Sequence, residues 1–304
     1  TTSRLLSIEA TEASIGGRQL FLHTEIIDSI PQTISRAKCD DSATASRGTV
    51  STTATVEQDG LSISAVVFDG KATDWPGNAE AQMYMHNDIV IAPWKTNRYW
   101  PRENGWIRFY AFSPIDALGN DGLGAISATE PSFSYTVADN IPDQQDLLVG
   151  SEQYAGNKCE TAQIDLGHAL TAVKILIDGN VTGFVLTKLY ISGLKNSGTY
   201  TYHYNSGAPS DGNNASQTHD AGAWTSLSGN EEYVVYNDPT GKVLTTVNPD
   251  AEGNATGNTD MTANEENMVM FLMPQTLTTD AKITIEGYDE VVGTDVKLEA
   301  TIGD

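Results

Sequence analysis

The run Trp106-Ile107-Arg108-Phe109-Tyr110-Ala111-Phe112, closed by Ser113-Pro114, decides the fold class. Its large residues alternate, and in a strand successive side chains point to opposite faces. Proline ends it, because proline has no N–H to give to a sheet. Working outward, Leu61-Ser62-Ile63-Ser64-Ala65-Val66-Val67-Phe68 alternates strictly at its start and stops at Asp69-Gly70. Ser132 to Val137 alternates too, while Asp88 to Ala92 and Leu147 to Gly150 are short and apolar. Leu20-Phe21-Leu22-His23-Thr24-Glu25-Ile26-Ile27 is apolar on most positions of both faces, as a strand buried between neighbours would be. Leu5 to Ala10 reads as another strand, and Pro31 ends the N-terminal pair.

The second half repeats the pattern. Strands are expected at Val173–Ile177, Phe184–Ile191, Glu232–Tyr236, Met268–Met273, Lys282–Glu286 and Val296–Ala300. Ser192-Gly193, Asn237-Asp238-Pro239 and Pro274 supply stops. Long helical patterns are scarce, and no repeat of fixed period is visible. Many short strands with frequent turns predict an all-β molecule of sandwich or barrel domains.

The chain has 304 residues, enough for one large domain or two ordinary ones. A polar shift from Glu152 to Cys159 suggests a boundary, giving domains over 1–157 and 158–304. Residues 36–55 are rich in Ser, Thr and Ala and poor in large apolar residues, so they read as an exposed loop. Residues 206–222 and 248–264 read as further long loops.

With 17 basic against 40 acidic residues, the net charge is −23. That excludes a nucleic-acid or anionic-lipid surface, since phosphate binding needs clustered Lys and Arg. It suits a secreted or surface protein. No stretch approaches the roughly 18 apolar residues of a membrane helix. Cys39 and Cys159 could form one disulfide, and sequence alone does not pair them.

Enzyme signatures are missing: there is no G-x-S-x-G, H-E-x-x-H, P-loop or G-x-G-x-x-G. His23, His86, His168, His203 and His219 are scattered, and His168 in its apolar setting reads as a packed, hydrogen-bonded residue. Asp250 to Asn254, with Asp260, offers oxygen side chains to a hard cation but lacks a full calcium loop, so it reads as a solvated loop. No metal site, cofactor site or catalytic residue is assigned. Trp75, Trp94, Trp100 and Trp106 could stack on sugars, although aromatics more often fill cores.

Several of these stretches occur together in a recognisable order. Ser46-Arg47-Gly48-Thr49 is similar to the Arg-Gly element of the fimbrillin (type V pilin) family of Bacteroidales. Tyr99-Trp100-Pro101 with the aromatic strand ending at Pro114 resembles that family's Trp-Pro element and the strand after it. Asp146-Leu147-Leu148-Val149-Gly150 resembles its Asp-Leu-Leu element, and Asp165 to Lys174, with Gly167-His168-Ala169-Leu170, its His-x-Leu strand. Leu272-Met273-Pro274-Gln275-Thr276-Leu277 resembles its Pro-Gln element.

The resemblance implies two transthyretin-like β-sandwich domains in tandem with few short helices. It also implies a non-enzymatic pilin, tip or adhesin subunit of a fimbrium at the outer membrane. Its partners would be other pilin subunits, in a homo- or hetero-polymer, and a host protein or glycan. Assembly would proceed by protease-triggered donor-strand exchange. A removable N-terminal segment then ends near Arg47, with Arg36 as the second processing site, and Leu20, Phe21, Leu22, Ile26 and Ile27 form its strongest strand. Family precursors reach the membrane through a lipidated cysteine; here none precedes Cys39, so no residue is assigned to an anchor. The family also continues beyond a strand like Val296–Ile302, which suggests a last strand lying past Asp304. A surface carbohydrate-binding module, resting on the tryptophans, is the alternative.

Overall fold

A computed structural model describes residues 13–15, 18–27, 56, 59–69, 82–91, 105–119, 122–124, 131–155, 164, 166–178, 183–202, 222–243, 259–260 and 269–303. Its strands are, in chain order, β1 (Ala13–Ile15), β2 (Arg18–Ile27), β3 (Leu61–Asp69), β4 (Gln82–Val90), β5 (Gly105–Ser113) and β6 (Ser132–Thr136). Next come β7 (Leu148–Ala155), β8 (Gly167–His168), β9 (Thr171–Asp178), β10 (Phe184–Leu194), β11 (Ser197–Tyr202) and β12 (Gly222–Ser228). The last are β13 (Glu231–Val243), β14 (Thr259–Asp260), β15 (Met270–Leu272), β16 (Lys282–Asp289) and β17 (Thr294–Thr301). A 3-10 turn at Ile141–Asp143, opened by Pro142, breaks the strand pattern between β6 and β7. The molecule is all-β, as the alternating patterns predict.

The described strands form four sheets: β4-β3-β5-β7-β8, β12-β11-β6, β13-β10-β16-β17, and β1-β2-β9-β14 with β15 also on β9. The pairings are antiparallel. Two long stretches run past the stops expected for them. β10 passes through Gly193, which takes φ +77 against the Asp280 backbone, where a Cβ would sit 2.0 Å from a carbonyl oxygen. β13 passes through Asn237-Asp238-Pro239 by making a bulge rather than an end.

The central strand β5 packs on both faces, which explains why so many of its residues are large. Ile107, Phe109 and Ala111 join Leu61, Ile63, Ala65, Met85, Val90 and Leu148 in a smaller core. Tyr110 and Phe112 point the other way and join Val66 and Val149 in a larger core, which extends through Phe184, Leu186, Tyr202, Tyr233 and Ile285. Arg108, on the Tyr110 face, is buried and donates to Gln153 on β7.

Among the described residues, strand pairing crosses residue 157 in three places. β6 pairs with β11, β7 with β8, and β2 with β9. Buried side chains tie the same halves together. The Tyr202 hydroxyl donates to the Ala111 carbonyl at 2.8 Å, and the buried Gln144 Oε1 accepts from the Phe271 N–H at 2.7 Å.

Candidate functional site: the N-terminal strand on the edge of β9

Strand β9, with sequence Thr-Ala-Val-Lys-Ile-Leu-Ile-Asp, is rich in β-branched residues that fit a pleated surface. Ala172, Val173 and Ile175 are buried in the larger core. One edge of β9 carries β14 and β15, through Thr259↔Ile177, Asp260↔Leu176, Met270↔Val173, Phe271↔Ala172 and Leu272↔Thr171. The other edge carries β2. Its register runs without a break from Phe21↔Asp178 to Ile27↔Ala172.

Of the residues expected to form the N-terminal strand, Phe21, Leu22, Ile26 and Ile27 therefore stand in one ladder with β9. Leu22 is opposite Ile177, Ile26 opposite Val173 and Ile27 opposite Ala172. Leu20 pairs instead with Ala13, where β1 turns back along the outer side of β2. Opposite residues of an antiparallel pair share a face. Leu22, Thr24 and Ile26 thus occupy the row of Ile177, Ile175 and Val173, and the last two of these are core residues. Glu25 is opposite Lys174, an opposite-charge register position. The two processing candidates, Arg47 and Arg36, lie outside the described residues, as do Cys39, Cys159, Trp75, Trp94, Trp100 and the acidic stretch 250–254.

The start of β9 is fixed by an arrangement that sequence reading had only in pieces. Asp146, fully buried, takes the Nδ1 of His168 at 2.8 Å, and His168 itself is nearly buried. The Ala169 N–H donates to the Leu147 carbonyl at 2.8 Å, and the Trp224 indole N–H donates to the Ala169 carbonyl at 2.6 Å. The Asp146-Leu147-Leu148 and Gly167-His168-Ala169-Leu170 stretches are thus two sides of one joint, from which β9 sets out. Gln144 secures the neighbour on the far edge, since its Oε1 holds Phe271 of β15 while its Nε2 donates to the Ala138 carbonyl at 2.9 Å. Trp224 closes the joint from β12 and touches Phe133, Tyr135 and Tyr200 edge-on or tilted. Burial, and then the charges of Asp146 and Asp116, push the Tyr135 hydroxyl up to about 12. A ring of neutral phenols and one paired carboxylate suits a structural joint. Gln144 and Trp224 carried no sequence signal, because a lone amide or indole in a polar stretch does not announce a partner in another strand.

Among the described residues, no group of three or more His, Cys, Asp and Glu side chains could hold a metal ion. No helix among them is long and apolar enough to cross a membrane.

The site is thus a backbone edge, filled by a strand from the far N-terminus and backed by a buried apolar row. A family profile described as fimbrillin-like matches residues 46–301, and the chain belongs to that family. The fimbrillin-like family is a structural, non-enzymatic one. No curated protein and no solved structure matches the chain. β1 and β2 fall before the matched segment, whereas β9 falls within it.

Proposed function

We propose that the protein is a structural subunit of a cell-surface fimbrium, assembling with other pilin subunits by donor-strand exchange after proteolysis at Arg47. The observation that carries this reading is the β2–β9 ladder: a strand from outside the family-matched body completes a sheet inside it. Removing that strand would leave unpaired N–H and C=O groups along 172–178, beside an apolar row that water does not solvate well. An incoming strand would satisfy both, with a gain on the order of 10 kcal/mol from apolar area and ladder bonds together.

In this reading Arg47, or secondarily Arg36, is the processing site, and Leu20, Phe21, Leu22, Ile26 and Ile27 are the heart of the displaced strand. The tandem units are 1–157 and 158–304, sandwiches of the transthyretin type that the family resemblance implies, stitched by strands lent across residue 157. The subunit acts at the cell surface in a homo- or hetero-polymer. A lipid anchor on the precursor and a host protein or glycan as ligand belong to the same reading. Mild trypsin treatment of the folded protein, read by intact mass, tests the processing step. The expected result is a cut after Arg47 and loss of the segment before it; a folded protein resistant throughout 36–47 would overturn it.

A further inference from the structure

The edge strands of this molecule are not alike. β4 has register breaks at Ser64 and beside Ala65 and a positive-φ residue, Asn87. β12 has a break against β11 and a positive φ at Ser226. β13 has three breaks against β10. Such irregularities blunt an edge against pairing with another chain. The edge strand β6 has only five residues, and β1 and β8 are shorter. β17 differs from all of them: eight residues, each paired in unbroken register with β16, from Thr294↔Asp289 to Thr301↔Lys282.

The inner row of β17 is also incompletely covered. Val296 and Leu298 pack on the larger core, yet they and Ala300 are only half-buried, whereas Ile283 and Ile285 on β16 are fully buried. The outer row carries alternating charge. Lys297 lies 3.2 Å from Glu286, and Glu299 lies 2.5 Å from Lys282. By register, Lys188, Glu286 and Lys297 form one line across β10, β16 and β17, and Glu232 lies 2.7 Å from Lys188. The line reads minus, plus, minus, plus, and stops at an edge on which no described strand lies.

We propose that β17 pairs with β17 of a second copy, antiparallel, about a two-fold axis through Leu298, joining two sheets into one. Strand geometry allows only registers that keep Val296, Leu298 and Ala300 on one face. Centring on Lys297 would set Lys297 against itself and Asp295 against Glu299. Centring on Glu299 would set Glu299 against itself. Centring on Leu298 sets Lys297 against Glu299 of the copy twice over, Val296 against Ala300, and Leu298 against Leu298. The charge line then continues across the axis with its alternation intact. Opposite charges directly across a strand pair are favourable and like charges are not; centring on Val296 would also oppose Asp295 to Lys297, but it pairs fewer residues of the strand and sets Leu298 against Thr294, so the Leu298 register matches charge and apolar row best. At physiological ionic strength the Debye length is about 8 Å, which screens the overall negative charge more than these adjacent pairs. The inference stands apart from the N-terminal strand and goes beyond the proposed function.

Sedimentation analysis of the uncut protein under reducing conditions tests it, with Lys297→Glu, Glu299→Lys and the double exchange beside the parent. The parent should show a reversible monomer–dimer equilibrium. Each single exchange should weaken the dimer about tenfold or more, and the double exchange should restore it. The deciding arm mixes the two single variants. Lys297→Glu makes both positions of the pair acidic, and Glu299→Lys makes both basic. Each variant therefore repels its own copy, and their mixture should form a heterodimer in which every facing pair is again of opposite sign. The contacts with Glu286 and Lys282 inside each chain are not repaired by mixing, so a folding defect would not give this result. A parent that stays monomeric at every concentration, or a dimer indifferent to the exchanges, would overturn the proposal.

Discussion

The carboxamide of Asn87 takes both backbone polar groups of Leu123. Its Oδ1 accepts from the Leu123 N–H at 3.0 Å and its Nδ2 donates to the Leu123 carbonyl at 3.0 Å. A side chain on edge strand β4 thus stands in for a neighbouring strand, and pins a fully buried leucine of the larger core. To reach it, Asn87 adopts φ 52, held by its own N–H donating to Ser64 Oγ at 2.9 Å. Gly122 leaves room, since a Cβ there would lie 2.6 Å from Asn87 Oδ1.

Asn87→Ala should therefore destabilise the protein by about 2 kcal/mol, from an unpaired Leu123 N–H and a left-handed alanine, while the Leu123 carbonyl keeps the His86 Nε2 at 2.7 Å. Asn87→Gly removes the bonds but not the permitted φ, and should cost about 1 kcal/mol less. Equilibrium urea unfolding of the two variants separates the contributions.

The Asp146–His168 pair makes a second prediction. Asp146→Ala should cost about 2 kcal/mol or more, because it strips a buried imidazole of its partner. The damage should spread to the start of β9, since Ala169 is held by Leu147 one residue beyond Asp146. Amide exchange should accordingly quicken at residues 169–173 before it changes in β16.

Alkaline titration is a third. Burial raises the Tyr135 hydroxyl from 10.0 to about 12, and raises the Tyr202 and Tyr233 hydroxyls above their ordinary value too. A phenol whose folded pKa lies above its unfolded value contributes stability that is complete below pH 10 and is lost as pH rises through the folded pKa. Stability should fall between pH 10 and about 12, with each such tyrosine adding a slope of up to about 1.4 kcal/mol per pH unit. Tyr135→Phe should flatten that slope by one tyrosine's share, measured by urea unfolding at stepped pH with tyrosinate absorbance as the monitor.

Much of this architecture was legible in the sequence. β3 and β5 announced themselves because alternation and a following breaker are enforced by the pleat itself, and Leu20–Ile27 was legible as a strand from its run of apolar residues. β11 was not: its Ser-Gly-Thr-Tyr-Thr-Tyr reads like turn sequence, yet Gly198, Tyr200 and Tyr202 form its buried row. β4 was read too short, as a run around Ile89, because its other buried position, Met85, is surrounded by polar residues. Ile89 and Ile91 are exposed, an edge feature that local hydropathy reports with the wrong sign. The partner of the N-terminal strand was beyond reach in principle. Period-2 patterning says that Leu22 and Ile26 need a neighbour, and nothing local says that it is Ile177 and Val173, some 150 residues on.

Within the β2–β9 ladder, Thr24 sits opposite Ile175, near the middle. Thr24→Pro places a proline ring within the unbroken ladder to β9 and should weaken retention of the segment by about 1–2 kcal/mol. After proteolysis the variant should release its N-terminal fragment faster than the parent, by size-exclusion chromatography with mass detection.

The central claim is that the N-terminal strand is a replaceable part of the sheet. Negative-stain microscopy of the protein before and after cleavage at Arg47 tests it most directly, with Arg36→Ala/Arg47→Ala as the uncut control. The account predicts filaments from the cleaved protein, accompanied by loss of the fragment carrying Leu20–Ile27, and no filaments from the control. Cleaved protein that loses that fragment, stays folded and never polymerises, alone or with other subunits of the same fimbrium, would contradict it.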